Sequence, residues 1–464
     1  FAGLGVYGKL ESEMLLGVLL VWVCTANWSL KFEPDRSLDA GNPWQGFVPY
    51  LQASSNLFPH SMVNQYFAWG DIMKDWGQFD FSVIHEAAAI AASKQTQLIA
   101  RVYADYPKQP TGIPAFLQAG LKKCIYKDSG GGISPDYTNT TLIKAMKDTI
   151  AALGQVFDGD ARIAFWQAGF LGYWGEWHTN DECPFADDEV QRTILTQLKA
   201  SFVQCKMLLR YPDETGGLLT PSQNLLPLMG FHDDSFGQDT IGPQPWQFLS
   251  REKVAGQTSH WKFGPIGGEV RPELQECLFA ADPVTACSKT TNQTPQNLTQ
   301  CISLSHSSWQ WCNRAWQKGG LSKATGEYQR ALEAATLMGY SFSVTDLSVT
   351  PTGNQRFTLN WTFANLGISP SYYSVHPRLF LPSNSTNKTT DSLSLEVEDL
   401  SFLQPGETAA VVAYNVSIHF PSTGAVPIGI GLSSPRALKP ITIATTGADP
   451  RTGVLWVNVT APKF

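Results

Sequence analysis

The feature that most constrains this chain is an alternation that runs through its first two-thirds and then stops. Short apolar runs with strand character recur between helical stretches. Gly46–Tyr50, Met62–Phe67, Gln97–Tyr103, Arg162–Ala168, Lys206–Tyr211, Leu226–Phe231, Trp261–Gly264 and Cys301–Leu304 read as strands. Phe81–Lys94, Thr141–Phe157 and Asp187–Val203 read as helices between them, the last with acidic residues at its start. Eight strands alternating with helices call for a parallel sheet closed on itself, so the expected fold class is α/β, a (β/α)8 TIM barrel over 27–339 with a long closing helix at Leu321–Met338. After Gly339 the pattern changes. From Tyr340 to Phe464 the chain is rich in Thr, Ser, Val and Pro, and it alternates in segments such as Phe357-Thr-Leu-Asn-Trp-Thr-Phe. Turn signals at Pro351-Thr-Gly-Asn and Gln404-Pro-Gly-Glu sit between such segments, which predicts an antiparallel β-sandwich domain over 340–464. No internal repeat or long low-complexity linker interrupts this two-domain order.

Upstream of both, Met14 opens an apolar run, Leu15–Val23, followed by Cys24-Thr25-Ala26. A short apolar core with small residues before a cut after Ala26 is the layout of a secretory signal peptide, so 1–26 reads as an upstream segment plus signal. A buried strand or an interfacial anchor is the competing reading. Sequons favour export. Asn27, Asn139, Asn292, Asn297, Asn360, Asn384, Asn387, Asn415 and Asn458 each begin N-x-Ser/Thr, nine of 17 Asn, where chance would give about three. A secreted, extracellular or cell-surface glycoprotein of a eukaryotic secretory pathway is expected. The eight Cys fit that compartment. Cys277, Cys287, Cys301 and Cys312 cluster in a Thr/Asn/Gln-rich stretch and read as disulfide-stapled loops; loss of Cys24 with the signal leaves an odd number.

Composition narrows the partners. A formal net charge of −7 argues against a sequence-independent nucleic-acid binder. No apolar run reaches the roughly 18–20 residues of a membrane span, so no integral membrane insertion is expected once the signal is removed. With 15 Trp, 14 Tyr and only 16% charged residues, the chain suits a neutral polar ligand such as sugar, although large cores also consume Trp.

In a barrel of this type the site lies just beyond the C-terminal ends of the strands. Gly172-Tyr-Trp-Gly-Glu176-Trp-His178 follows the fourth strand. A carboxyl flanked by Trp and Gly suits acid work, because apolar neighbours favour its holding a proton. Gly264-Pro-Ile-Gly-Gly-Glu269 follows the seventh, and its small residues allow a close approach or a sharp turn. Two Glu on facing strands are what glycoside hydrolysis needs. Ion pairs with Arg101 or Arg210 are the structural alternative for both. His232, Asp233 and Asp234 after the sixth strand could bind sugar hydroxyls, tune Glu176, ligate a metal with His178, or cap a turn into a helix. Arg101 and Tyr103 follow the third strand and Arg210 and Tyr211 the fifth; either Arg can orient a carboxylate or form a structural pair. Trp44, Trp69, Trp166, Trp174, Trp177 and Trp261 are stacking or core candidates, with Trp174 and Trp177 assigned to the pocket. His306 is placed after the eighth strand. No metal is expected, since neither a C-x-x-C nor a spaced His pair on one element appears, and no cofactor: the P-loop is absent, Gly130-Gly-Gly132 lacks the strand-to-helix context of a dinucleotide site, and there is no G-x-S-x-G elbow for other chemistry.

An acid on the fourth strand and a nucleophile on the seventh resemble the large retaining (β/α)8 glycosidase clan. That resemblance implies Glu176 as acid/base and Glu269 as nucleophile, although Gly175 stands where the clan has Asn. Asn42-Pro-Trp-Gln-Gly-Phe47, Arg101-Val-Tyr, Gly169–His178, Gly230-Phe-His-Asp-Asp-Ser-Phe236, Gly267-Gly-Glu269 and the Gly339-Tyr340 junction together resemble proteins with domain of unknown function 4832. The resemblance covers nearly all of 40–464 and implies a secreted glycosidase-like barrel with a C-terminal β-sandwich. Two functions are therefore expected to compete: a glycoside-hydrolase-like protein acting on an extracellular glycan or polysaccharide, and a non-catalytic carbohydrate-binding or self-associating structural glycoprotein. Hydrolysis by a bound metal is a third.

Overall fold

The computed structural model describes residues 28–179, 182–212, 229–317, 320–353, 355–381, 391–394, 399–418 and 425–460. The 1–26 segment, Asn27, Asn384 and Asn387 lie outside these residues. Eight parallel strands form one sheet: β1 (Gly46–Val48), β2 (Met62–Ala68), β3 (Gln97–Tyr103), β4 (Ile163–Gln167), β5 (Lys206–Leu209), β6 (Met229–Phe236), β7 (Ile266–Val270) and β8 (Trp309–Trp311). Each pairs with its sequence neighbour, and β8 pairs with β1. A parallel bridge between Tyr50 and Asn64, with Asn64 N donating to Pro49 O at 2.9 Å, closes the barrel between β1 and β2.

The helices form where amphipathic period and caps agree. α1 (Ser82–Ser93), α2 (Thr140–Phe157) and α3 (Asp188–Ser201) follow β2, β3 and β4. The Asn139 side chain caps α2 by accepting from Leu142 N at 3.0 Å, and Asp187 caps α3 by accepting from Val190 N at 2.9 Å. Leu142, Met146, Ile150 and Leu153 on α2 and Ile194 and Leu198 on α3 bury against the outward side chains Val63, Leu98, Val102 and Met207 in one core. The second half of the barrel adds α4 (Phe248–Val254), α5 (Pro283–Thr290), α6 (Leu298–Ser305) and α7 (Glu327–Leu337).

Three strands differ from the sequence expectation. β6 begins at Met229 and runs through His232, Asp233 and Asp234, so these residues lie in the sheet and not in a capped turn; Leu226 is outside the described residues. Trp261–Gly264 is not a strand: His260–Lys262 is a 3-10 turn, and β7 follows it with Glu269 inside. Cys301–Leu304 belongs to α6, whose start is capped by Asn297 accepting from Gln300 N at 2.9 Å. The closing helix α7 is shorter than Leu321–Met338.

Two four-stranded antiparallel sheets follow: β9 (Phe342–Gly353), β10 (Arg356–Asn365), β11 (His376–Leu381), β12 (Asp391–Ser394), β13 (Thr408–Ser417), β14 (Ala425–Ser433) and β15 (Leu455–Thr460). One sheet runs β9-β10-β13 and the other β12-β11-β14-β15. Trp28–Lys31 is the edge strand of the first, with Leu30 opposite Leu347. This segment, expected in the barrel domain, therefore belongs by pairing to the sandwich. Val344, Leu359, Trp361 and Phe363 share a core with Leu379, Ile428 and Ile430 of the other sheet.

The sandwich closes the floor of the barrel, the end where the strands begin. Tyr373 donates to Ala164 O at 2.5 Å and accepts from Lys206 N at 3.0 Å. Its ring lies 6.0 Å from Phe165 and 5.0 Å from Trp44, and Arg436 covers it at 4.7 Å. Phe165 in turn stacks on Trp309 inside the barrel.

Disulfides join Cys124 to Cys183 and Cys277 to Cys287. Cys301 and Cys312 are buried free thiols, as is Cys205, so the expected four-cysteine staple reduces to one bridge. The described sequon residues Asn139, Asn292, Asn297, Asn360, Asn415 and Asn458 are all at least partly exposed. Among the described residues no helix is long and apolar enough to cross a membrane.

Tyr373 gives a test of the floor. Tyr373→Phe removes two buried hydrogen bonds and should cost about 1–3 kcal/mol. Tyr373→Ala also empties the space under Phe165 and should cost about 3–5 kcal/mol. Denaturant titration of the two variants against the parent measures both, and an Ala variant within experimental error of the parent would refute the role assigned to this contact.

Candidate active site

The site is organised by a guanidinium that has no exposure at all. Arg101, on β3, points into the barrel, where its side chain is fully buried. Its Nε donates to Gln167 Oε1 at 2.9 Å, its Nη1 to Glu176 Oε1 at 2.9 Å and its Nη2 to Asp234 Oδ2 at 2.7 Å. The plane lies over the Tyr66 ring at 4.4 Å. One cation thus ties together β2, β3, β4, β6 and the loop after β4.

That loop is a compact knot. Tyr173 N donates to His178 O, Glu176 N to Tyr173 O and Trp177 N to Leu171 O, all at 2.8–2.9 Å. Phe170, Trp174 and Trp177 take left-handed backbone conformations, which cost non-glycine residues of order 1–3 kcal/mol each. Trp177 drives the knot inward: its side chain is buried and its Nε1 donates to Gly169 O at 2.9 Å. The result is Glu176 held at the mouth, with its Oε2 3.6 Å from His178 Nε2. The Cys124–Cys183 disulfide and the Tyr126–Tyr173 stack at 4.1 Å fasten this loop to the one after β3. Tyr126 also donates to Asp105 at 2.6 Å.

Around this frame opens a cleft of about 880 Å³. Glu176 and Glu269 both line it, as do Trp174, His178, Arg210 and Asp234. The structure therefore brings these sequence candidates together. His232 is buried beneath them, with Nδ1 2.8 Å from Asp234 Oδ1. Asp233 turns to other partners, accepting from Thr240 Oγ1 at 2.7 Å and facing Arg210 at 3.6 Å.

Four placements correct the sequence reading. Trp177 packs in the core and does not reach the cleft. Tyr103 packs beside Tyr106, outside the cleft lining. His306 ends α6, before β8 and not after it; it stacks on Trp261 at 3.6 Å and bonds to Ile368 O of the sandwich side, at the end of the barrel opposite the mouth. The two glycines before Glu269 make room inside the barrel and not for a ligand: a Cβ on Gly267 would lie 2.1 Å from the Trp309 ring, and one on Gly268 2.1 Å from Asp233 O. Trp44, Trp69 and Trp166 are likewise buried away from the cleft. The sequence reading missed Tyr66, Tyr106, Lys108 and Trp311, which line the cleft. Tyr66 was legible as an inward position of β2, alternating with Met62 and Asn64; its hydroxyl is buried with no hydrogen-bond partner.

The electrostatics divide the carboxyls. Glu269 makes no ion pair among the described residues; burial, then the negative charges of Asp234 and Glu176, push its carboxyl well above the usual range. Asp234 goes the other way: burial opposes its charge, but His232, Arg101 and Arg210 outweigh it and hold the carboxyl well below its ordinary value. Burial lowers His232 against the opposing pull of Asp234, whose Oδ1 lies 2.8 Å from its Nδ1. Glu176 carries the ion pair to Arg101. Among the described residues no three His, Cys, Asp or Glu side chains converge as a metal site.

The chain matches no family model and no curated protein. Among solved structures it is similar to endo-glycoceramidase II from Rhodococcus sp., at 9% identity and a TM-score of 0.38 over 84% of this chain and 100% of that one. A Thermobacillus composti xylanase gives 12% identity and 0.37 over 63% and 97%, and an alpha-amylase from Geobacillus thermoleovorans gives 9% and 0.34 over 76% and 87%.

Several buried acids share the upward shift of Glu269. Burial raises Asp39 and Asp105 to about 7 and Glu252 to about 8. Each is protonated more readily folded than unfolded, so its stabilising effect is complete below the unfolded value and is lost as pH rises through the folded one. The buried histidines His60, His232, His260 and His306, all shifted down, oppose this only below their ordinary value of 6.5. Between about pH 6.5 and 8 the histidines no longer oppose the acids, each worth up to ~1.4 kcal/mol per pH unit, and Lys206 and Lys439, lowered by burial to about 8, begin to oppose them only toward the top of that window. The melting temperature should fall across that window, and Glu252→Gln should flatten the fall; a rising or flat parent profile contradicts the assignment.

Proposed function

We propose that this chain is a secreted, N-glycosylated glycoside hydrolase that acts on an extracellular glycan through Glu176 and Glu269. One observation carries the reading: two Glu, positioned by β7 and by the loop after β4, line one cleft, and only one of them is paired with a cation. Hydrolysis of a glycosidic bond needs that asymmetry, a carboxylic acid to protonate the leaving oxygen and a carboxylate to attack the anomeric carbon or activate water. Glu269, held neutral by burial, donates the proton. Glu176, oriented by Arg101, is the anionic partner, which reverses the roles drawn from the clan resemblance. Trp174 and Trp311 offer ring faces to a pyranose. The two disulfides and the exposure of the sequon asparagines support export, and the resemblance to proteins with domain of unknown function 4832 is in keeping with it.

A second reading, a non-catalytic carbohydrate binder, draws on the enclosure of both carboxyls: the Glu176 side chain is 13% exposed and Glu269 8%. The two readings separate on turnover. Glu176→Gln and Glu269→Gln should each slow cleavage of a responsive glycan by about 10²–10⁴-fold. Azide should restore turnover to Glu176→Gly and not to Glu269→Gly. Rescue of the Glu269 variant alone reverses the assignment, undiminished cleavage by either Gln variant removes the mechanism, and tight binding without cleavage by the parent leaves the binder.

A further inference from the structure

We propose that N-glycans on Asn415 and Asn458 guard the two long open edges of the sandwich and keep copies of this chain from pairing edge to edge. This rests on the reading of the chain as an exported glycoprotein and adds what two of its glycans do.

Four strands form the outer borders of the two sheets. Trp28–Lys31 and β13 border one, and β12 and β15 border the other. An outer strand offers a row of unpaired N–H and C=O groups, a template for a strand of another molecule. Two of these borders are protected by length and charge. Trp28–Lys31 and β12 are each four residues long, and each carries a charge, Lys31 and Asp391. The other two have no such protection. β13, Thr-Ala-Ala-Val-Val-Ala-Tyr-Asn-Val-Ser, is ten residues long, and β15, Leu-Trp-Val-Asn-Val-Thr, is six. Neither contains a charged residue, a Pro or a Gly, and such neutral, strand-forming stretches are the ones that associate across molecules. Among the described residues no strand covers β13 on its outer side, and β15 is met there at Leu455 alone, by a bridge from Ala448.

The two unprotected borders are the two that hold a sequon within the strand. Asn415-Val416-Ser417 ends β13, and Asn458-Val459-Thr460 ends β15. Alternation along a strand sends the middle residue of each triplet inward and the Asn outward. Val416 and Val459 are buried in the sandwich core, and Asn415 and Asn458 are exposed. An amide on that outer face can carry a bulky, hydrated oligosaccharide without disturbing the core. Asn360, the other described sequon residue of the sandwich, lies on β10 between β9 and β13 and borders no edge.

At β13 the ladder is also broken at the sequon. Between the pairs Leu359–Ala413 and Phe357–Val416, Tyr414 and Asn415 together face Thr358, which is a β-bulge. Asn415 is left-handed there, φ 58°, a conformation Asn tolerates better than most residues. A bulge twists an edge away from a straight partner, so backbone and sequon act at one point. Beside it the Tyr414 side chain is 76% exposed, and a glycan on Asn415 covers this apolar ring as well as open backbone.

The test uses the full chain secreted from eukaryotic cells, with sequon occupancy read by glycopeptide mass spectrometry and particle mass by light scattering. Asn415 and Asn458 should be occupied. Ser417→Ala combined with Asn458→Gln removes both glycans and should raise the particle mass about twofold or more, increasingly with concentration. Enzymatic removal of the glycans from the folded parent should produce the same rise. Thr141→Ala, which removes the Asn139 sequon and leaves the helix cap in place, should keep the parent's mass. Exchanging Asn458→Gln for Asn458→Lys and adding Tyr414→Lys returns charge to both edges and should restore the parent's state, which damage to the fold would not allow. A chain glycosylated elsewhere but not at Asn415 and Asn458 overturns this inference. So does a particle mass that stays at the parent's value after both glycans are removed, or one that the Lys variant does not restore. Each of these outcomes leaves the proposed function standing. A secreted chain with no glycan at any sequon overturns this inference together with the reading of the chain as a glycoprotein.

Discussion

A guanidinium buried in the middle of a barrel must be matched on every side, and the architecture of the mouth follows from how Arg101 is matched. Burying an unpaired charge costs several kcal/mol, so partners have to arrive with good geometry. Gln167 comes from the next strand, Asp234 from β6 across the barrel, and Glu176 from a loop that must fold back to deliver it. Tyr66 supplies the ring face beneath. None of these contacts is local in sequence: Glu176 is 75 residues and Asp234 133 residues from Arg101. The barrel has to close before any of them exists, which makes the site a consequence of the fold and also one of its fastenings. The left-handed Phe170, Trp174 and Trp177 are the strain required to bring Glu176 to that cation.

The lower half of the barrel is matched by other means. There the interior is aromatic, Phe165 against Trp309 and Tyr373, and the last of these comes from the sandwich. Hydrogen bonds from the same domain reach the barrel's lower edge: Arg436 donates to Ile163 O at 2.9 Å, Lys439 to His60 O at 2.8 Å, and Asn42 exchanges bonds with Thr442. The sandwich is thus a floor, placed at the end of the barrel opposite the Glu176–Glu269 cleft. Pairing of Trp28–Lys31 with β9 draws the chain's first described segment into that floor before the barrel begins.

This division explains what could be read from the sequence. α2 and α3 were legible to within a residue or two, since an apolar stripe of helical period coincided with a capping Asn or Asp. β1 to β5 were legible as apolar runs because their outward faces bury under helices and their inward faces under one another. β7 and β8 were not. Ile-Gly-Gly-Glu-Val and Trp-Gln-Trp are short and contain no apolar run, Gly267 yielding space to the Trp309 ring and Gly268 to the Asp233 backbone, while the apolar stretch at Cys301–Leu304 lies in a helix that buries Cys301 and Ile302 and exposes Leu304. Glu176 and Glu269 stood out in the sequence by their position after strands. Tyr66, Lys108 and Trp311 did not, since what places them in the cleft is barrel closure rather than any local motif.

The tryptophans show the same lesson in another form. An excess of Trp on a weakly charged chain points toward sugar, yet Trp69, Trp166, Trp177, Trp309 and Trp361 are among the largest fully buried side chains, and they build the framework. Trp69 even spends its indole N–H on Thr149, between a βα-loop and α2, at 2.8 Å. Trp174 and Trp311 are the two that line the cleft, one on each side of the carboxyl pair in sequence and strand order. The low charge has a parallel reading. Charged groups are concentrated at the mouth, where Glu176 and Asp234 share Arg101, Asp233 faces Arg210 and Glu273 pairs with Arg271, so a ligand entering the cleft meets groups already held by their neighbours. Preorganisation of that kind is the property the cleft has from its own residues, before any substrate arrives.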